Sequence, residues 1–77
     1  MILKQVEPVY RMVGTKIEQM RTILGWTQQD LAKKLNLTRG SVANIEAGKQ
    51  RFLVHDIEKF ANAFNTTPKN LLRGIWT

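Results

Sequence analysis

An all-α fold of five short helices is what this sequence predicts, and three observations carry the prediction. Apolar residues recur at steps of three and four in two places, which is the stripe of a helix buried on one face: Tyr10, Val13, Ile17, Met20 and Leu24 early in the chain, and Ile57, Phe60, Ala61 and Phe64 later. Thr27, Thr38 and Thr67 stand where helices would start, the last followed by Pro68 at the first helical position. Gly25, Asn36, Gly48 and Asn65, which tolerate left-handed backbone, stand where helices would stop.

Length and charge bound what such a fold does. The chain has 77 residues, one domain of a size that buries only about 60% of its unfolded surface and needs good packing or association to be stable. It has no cysteine, so neither a disulfide nor a thiolate site helps. No apolar run reaches the roughly 18 residues of a spanning helix, and MILKQVEP lacks the features of a signal peptide. A soluble cytoplasmic protein is therefore expected. Twelve Lys and Arg against six Asp and Glu give a net charge of +6 and a pI of about 10.2, which point to a polyanionic partner; a merely soluble basic surface would carry the same charge.

In chain order, Met1 to Val6 reads as an arm or an edge strand, so that residues 1–7 form an N-terminal arm and residues 8–77 the domain, with the first helix starting at Glu7 and Pro8. Gly14 interrupts that helix at a cost of up to about 1 kcal/mol relative to Ala and raises the prospect of a close helix contact. Gly25 ends it. Thr27 and Asp30 form a variant of the capping box with Trp26 and Leu31 as its hydrophobic staple, and the second helix runs from about Gln28 to Leu35. Leu31, Ala32 and Leu35 face inward and Lys33 and Lys34 outward. Asn36 turns the corner, and Thr38 starts the third helix, Arg39 to Ala47, anchored by Val42 and Ile45. Its other face, Arg39, Gly40, Ala43 and Asn44, is small and polar, which is unusual for a helix that exists only to pack. A basic loop, Lys49, Gln50 and Arg51, precedes the fourth helix, and Thr67-Pro68 starts a short fifth one carrying Leu71 and Leu72 and closed by Gly74.

The Thr27-Gln28 pair, Leu31-Ala32, Val42, Ile45, Glu46, Gly48-Lys49, the Ile57 to Phe64 face and the Leu71-Leu72 ending together resemble the Cro/repressor-type helix-turn-helix family, often called XRE-like. The specific signal is their joint spacing, from about Gly14 to Leu72. The resemblance implies a compact five-helix, repressor-like DNA-binding domain in which helix three lies in the major groove while helix two crosses the phosphate backbone. It also implies that Arg21, late in helix one, pairs with Glu46, late in helix three.

Residue chemistry independent of the family is compatible with the same roles. Small Ala32 lets helices two and three approach, and Val42 fills the contact. Arg39 has the forked donors that fit guanine O6 and N7, and Asn44 can pair with adenine N6 and N7. Gly40 removes a side chain between them, which either admits DNA closely or leaves one base pair unread. Thr38 and Ser41 suit phosphate contact or capping. Gln28 at the start of helix two, with Lys49 and Arg51 in the loop, suits phosphate binding. By residue type alone, Arg39 and Asn44 could equally be solvated surface.

Other chemistries find little support. His55 is the sole histidine, without a cysteine partner, so a capping or surface role is expected and no metal. Gly48-Lys49 lacks the spacing and preceding strand of a phosphate loop. No triad order or paired-acid cleft is present, and no enzyme activity or cofactor is expected. Trp26, Phe60 and Phe64 read as core or staple residues. The expectation is a sequence-specific regulator of bacterial or mobile-element origin, binding double-stranded DNA as a homodimer away from membranes, and repressing because so small a chain has little surface for recruiting polymerase. An antitoxin-type module that binds a partner protein and touches DNA secondarily is the alternative. Dimerisation is assigned to Leu72, Ile75 and Trp76, with two competitors: Trp76 folding back over helix one, or pairing through Met1 to Val6.

Overall fold

The path of the chain is set by four helix stops, each closed in the same way. The computed structural model describes residues 2–73, with side chains from residue 8 onward except that of residue 54. Gly25, Asn36, Gly48 and Asn65 all have positive φ, at 76°, 56°, 73° and 57°. The residue after each one turns its amide back onto the preceding helix: Trp26 to the Arg21 carbonyl, Leu37 to Ala32, Lys49 to Asn44, and Thr66 to Ala61, at 2.8–3.0 Å. Those bonds satisfy carbonyls that a helix end would otherwise leave without partners.

Between the stops lie five helices: α1 Ile2–Ile23, α2 Gln28–Leu35, α3 Arg39–Glu46, α4 Val54–Ala63 and α5 Pro68–Leu71. Their starts are built from side chains. The Thr27 hydroxyl accepts from the Asp30 amide at 3.0 Å and the Asp30 carboxylate accepts from the Thr27 amide at 2.8 Å, a complete reciprocal cap. These bonds, the backbone one first, hold the Asp30 carboxyl below its ordinary value. Thr38 and Thr67 cap α3 and α5 through the amides of Ser41 and Asn70. The α4 start has no capping hydroxyl, and there the Asp56 carboxylate accepts from the Leu53 amide at 2.8 Å.

The first helix departs from expectation. Its backbone is helical from Ile2, so the segment expected as an arm or edge strand continues α1, and Pro8 lies inside the helix instead of starting it. The physical reason is that Leu3, Lys4 and Gln5 are strong helix formers, which favours helix ahead of Pro8 even though a proline at the seventh helical position lacks the amide that would bond the carbonyl four residues earlier and costs about 3 kcal/mol there. Leu24, expected on the buried stripe, follows the last residue of α1 and is 45% exposed.

The core is drawn from every helix: Val13 and Ile17 of α1, Leu31 and Ala32 of α2, Val42 and Ile45 of α3, Phe60 and Ala61 of α4, and Leu71 of α5 are all buried, as is Phe64 just beyond α4. Each fully buried aliphatic or aromatic side chain contributes about 1.5–3 kcal/mol through removal from water. α3 is enclosed on one side by α1 and α2, and α2 in turn rests on α4. Trp26 stacks on Phe64 with ring centroids 5.8 Å apart, and the Lys34 ammonium lies 4.5 Å from the Trp26 centroid. Gly74, Ile75 and Trp76 lie outside the described residues.

Candidate nucleic-acid interface

What makes α3 a presenting helix is the way it is held. Val42, Ile45 and Glu46 are buried while Arg39, Gly40 and Asn44 are exposed, so at about 100° per residue the helix turns one side inward and leaves the other to solvent. The buried side comes unusually close to α1. A Cβ at Gly14 would stand 2.2 Å from the Ile45 carbonyl oxygen and 2.7 Å from that of Glu46, so only a glycine admits the end of α3 there. One turn earlier on α1 the Arg11 backbone meets Gly48, where an added Cβ would stand 2.8 Å from the Arg11 Cα.

An ion pair fastens the same end. Arg21 Nε donates to Glu46 Oε2 at 2.7 Å and its Nη2 to Oε1 at 3.2 Å, a two-pronged contact between side chains only 13% and 4% exposed. The third arm of the guanidinium, Nη1, donates to the Trp26 carbonyl at 2.7 Å. The Glu46 hydrogen bond raises the Arg21 pKa above its ordinary value, so the guanidinium stays charged across the accessible pH range. Arg21 and Glu46 thus connect α1, the α1–α2 turn and α3 at one point.

The other candidate residues divide between presentation and support. Arg39, Gly40 and Asn44 share the exposed side of α3; Lys49 and Arg51 are exposed in the loop that follows it. Thr38 uses its hydroxyl as the α3 cap, and Ser41, half-buried, supplies the amide that the cap binds. Gln28 does not stand alone at the start of α2: its Nε2 donates to Glu46 Oε1 at 3.0 Å and its Oε1 accepts from Arg39 Nη1 at 3.2 Å. Leu72 is half-buried after α5.

The basic loop has an anchor that sequence reasoning missed. Phe52 follows Arg51 and packs edge-on against Tyr10 at 5.0 Å and Phe60 at 6.4 Å, tying the loop to α1 and α4. A lone aromatic ending a run of cationic residues was the available signal. His55 Nε2 lies 3.6 Å from Asp56 Oδ1 at the first turn of α4. Among the described residues no group of three or more potential metal ligands comes together, and no helix is long and apolar enough to cross a membrane.

A short capped helix, a left-handed corner, and a second helix clamped at its far end with a small polar face outward define a helix-turn-helix unit, the arrangement that lays one helix along a DNA groove. The chain belongs to the XRE-like helix-turn-helix family of DNA-binding transcriptional regulators: the family model described as Helix-turn-helix matches residues 17–71. It is 34% identical over 53 residues to a competence pilus inhibition repressor of Acinetobacter baylyi, an alignment that covers 69% of this chain and 48% of that protein. The chain therefore spans about half the length of that relative. Among solved structures it resembles the restriction-modification controller protein C.AhdI of Aeromonas hydrophila, with a TM-score of 0.75 and 28% identity over 83% of this chain and 96% of the other. It shares a fold with the clp gene regulator ClgR of Corynebacterium glutamicum, with a TM-score of 0.79 at 17% identity over 83% and 68% of the two chains.

Proposed function

We propose that this protein is a sequence-specific transcriptional repressor that binds double-stranded DNA as a dimer on a two-fold-symmetric operator. The observation that carries the reading is the exposed face of α3, Arg39, Gly40 and Asn44, on a helix whose opposite side is locked to α1 and α2. A rigid helix that offers a forked donor and an amide to the outside is built to meet base edges, where Arg suits guanine and Asn suits adenine. Gln28, Thr38, Ser41, Lys49 and Arg51 surround that face as phosphate contacts that set its register without reading sequence. The net charge of +6 supports a polyanionic ligand. Repression is supported by the A. baylyi relative, which is named as a repressor. Such a protein works in the cytoplasm, on the nucleoid.

Dimerisation follows from what one helix can read. A single recognition helix covers only a few base pairs, whereas two related by a two-fold axis and about 34 Å apart reach successive major-groove half-sites. Leu72, Ile75 and Trp76 are the proposed contact, an apolar set that follows Leu71, the last fully buried residue among those described. Selection of preferred duplexes from random DNA tests the whole reading and should return a palindrome with half-site centres about one helical turn apart. Recovery of no preferred sequence would refute it. Sedimentation equilibrium of the parent, of Trp76→Ala and of a chain starting at Glu7 tests the interface. Loss of dimer in the shortened chain alone would move the interface to the N-terminal segment.

A further inference from the structure

The basic loop after α3 closes over a small cavity that the reading of DNA leaves unused. Leu35 and Leu37 at the end of α2, Ile45 of α3, Phe52 of the loop and Phe60 of α4 enclose about 90 Å³ that is partly open to solvent. Ile45 and Phe60 are buried and Leu35 and Phe52 half-buried, while Leu37 is 40% exposed. A cavity of roughly 150 Å³ with a lining of this kind takes up benzene, so this one suits a shorter apolar group. Phe52 is held edge-on by Tyr10 and Phe60, which sets that wall in place before any ligand arrives. The rim is charged. Arg51 and Lys59, both exposed, line the same cavity together with Asp56. Asp56 is engaged elsewhere: its Oδ2 accepts from the Leu53 amide at 2.8 Å, and its Oδ1 lies 3.6 Å from His55 Nε2. Among the described residues no carboxylate forms an ion pair with Arg51 or Lys59.

We propose that this cavity binds a small organic anion with a short apolar tail, of the class of a monocarboxylate of about five or six carbons, and that Arg51 is shared between this ligand and the DNA backbone. The tail lies against the leucines, Ile45 and the two phenylalanines, covering the Leu37 surface that otherwise meets water. The carboxylate reaches the rim, where the Arg51 guanidinium offers two parallel donors and Lys59 a further charge-assisted one. Two cations against one carboxylate that already caps a helix favour an anion over a cation. The coupling to DNA rests on the reading of Arg51 as a phosphate contact; the cavity does not. A guanidinium engaged by a carboxylate is partly neutralised and turned toward the cavity, so it contributes less to a phosphate. By linkage DNA weakens the ligand by the same factor as the ligand weakens DNA. The small acid is then an inducer, and its accumulation releases the protein from its sites.

Hexanoate is the probe, with acetate supplying the charge without the tail and hexan-1-ol the tail without the charge, all at constant ionic strength. In the free protein the methyl resonances of Leu35, Leu37 and Ile45 should shift saturably with hexanoate, at a Kd on the order of 1 mM. Acetate should not saturate, and hexan-1-ol should bind about three- to tenfold more weakly than hexanoate. Lys59→Gln should weaken hexanoate by about two- to fivefold and leave hexan-1-ol unchanged. Equal binding of hexan-1-ol and hexanoate would show an apolar cavity without an anion site. Shifts that never saturate, or that spread over the whole surface, would show nonspecific binding at high concentration. Either result overturns the proposal. On the selected duplex, saturating hexanoate should weaken binding by about fivefold or more beyond the same concentration of acetate. That ratio should fall to one in Arg51→Ala, whose own DNA affinity is lower from the start. Saturable binding of hexanoate with no effect on DNA would overturn the shared use of Arg51. A protein that selects no duplex would refute the proposed function, and the shared use of Arg51 with it, while the titration without DNA still decides the cavity.

Discussion

Gly14→Ala is the most severe small change this architecture allows. In an exposed helix the substitution would stabilise by up to about 1 kcal/mol, because glycine is the poorer helix former. Here the added carbon would stand 2.2 Å from the Ile45 oxygen, 2.7 Å from the Glu46 oxygen and 2.9 Å from the Glu46 carbonyl carbon. All three obstacles are backbone, so no side-chain rotation relieves them, and α1 must separate from the end of α3 by about 1 Å to restore contact distance. Overpacking costs about 1–3 kcal/mol when side chains can yield. With backbone on both sides we place this case at the upper end, and the net loss is about 2–3 kcal/mol after the propensity gain. A domain of this size has roughly 4–12 kcal/mol in total. Thermal unfolding followed by circular dichroism should show a melting temperature lower by about 10–20 °C. At a temperature where the variant is folded, specific DNA binding should weaken as well, because the displaced contact orients α3. A variant that melts at or above the parent would mean that α1 and α3 do not meet at Gly14, and the account of how α3 is held would fail.

Three further outcomes follow from the same geometry. Removing either partner of the Arg21–Glu46 pair should cost about 3–5 kcal/mol, since the other is left with little solvent, and a double-mutant cycle in urea should show coupling; additive losses would reject the pair as a structural unit. On the selected duplex Arg39→Ala and Asn44→Ala should each lose about 1–3 kcal/mol and relax one base position, whereas Lys49→Ala and Arg51→Ala should weaken all duplexes alike and lower the salt slope by about one unit; binding titrations at several salt concentrations distinguish the two patterns. The Thr27 hydrogen bonds lower the Asp30 pKa, so its contribution to stability is present above the ordinary 3.8 and lost as pH falls through the folded value; Asp30→Asn should flatten the acid side of the stability profile, and an unchanged profile would remove the cap from the account of α2.

Local chemistry made the helices legible. Thr27, Thr38 and Thr67 act where their hydroxyls were expected to cap, and all four left-handed stops stand at the residues that tolerate them. The same logic failed at Pro8, because a proline that can open a helix can also lie within one, and nothing local distinguishes the two. Network geometry was out of reach for a different reason. Gln28 reads as a phosphate ligand by its position at a helix start, and only the three-dimensional meeting of α1, α2 and α3 shows that both ends of its amide are engaged. Phe52 was overlooked because a single aromatic in a loop has no period to reveal it.

Gly14 and Gly40 are both glycines within helices, yet they answer to different demands. At Gly14 the requirement is internal and backbone atoms enforce it. At Gly40 a Cβ would meet nothing nearer than the Thr38 hydroxyl oxygen at 3.9 Å, so the free protein has room for it and α3 would gain up to about 1 kcal/mol from alanine. On the proposed reading, a residue that is suboptimal for the isolated domain and lies on the face that carries Arg39 and Asn44 answers to the DNA. If DNA approaches closely enough to use that space, Gly40→Ala should raise the melting temperature by a few degrees while weakening specific and random duplexes together, because the obstacle lies between the helix and the groove whatever its sequence. If Gly40 instead leaves a base pair unread, the same variant should be equally stabilised with unchanged affinity, and the selected operator should show no preference at one position between those read by Arg39 and Asn44. Melting and binding measured on one preparation decide between these, and loss of stability in the free protein would contradict both.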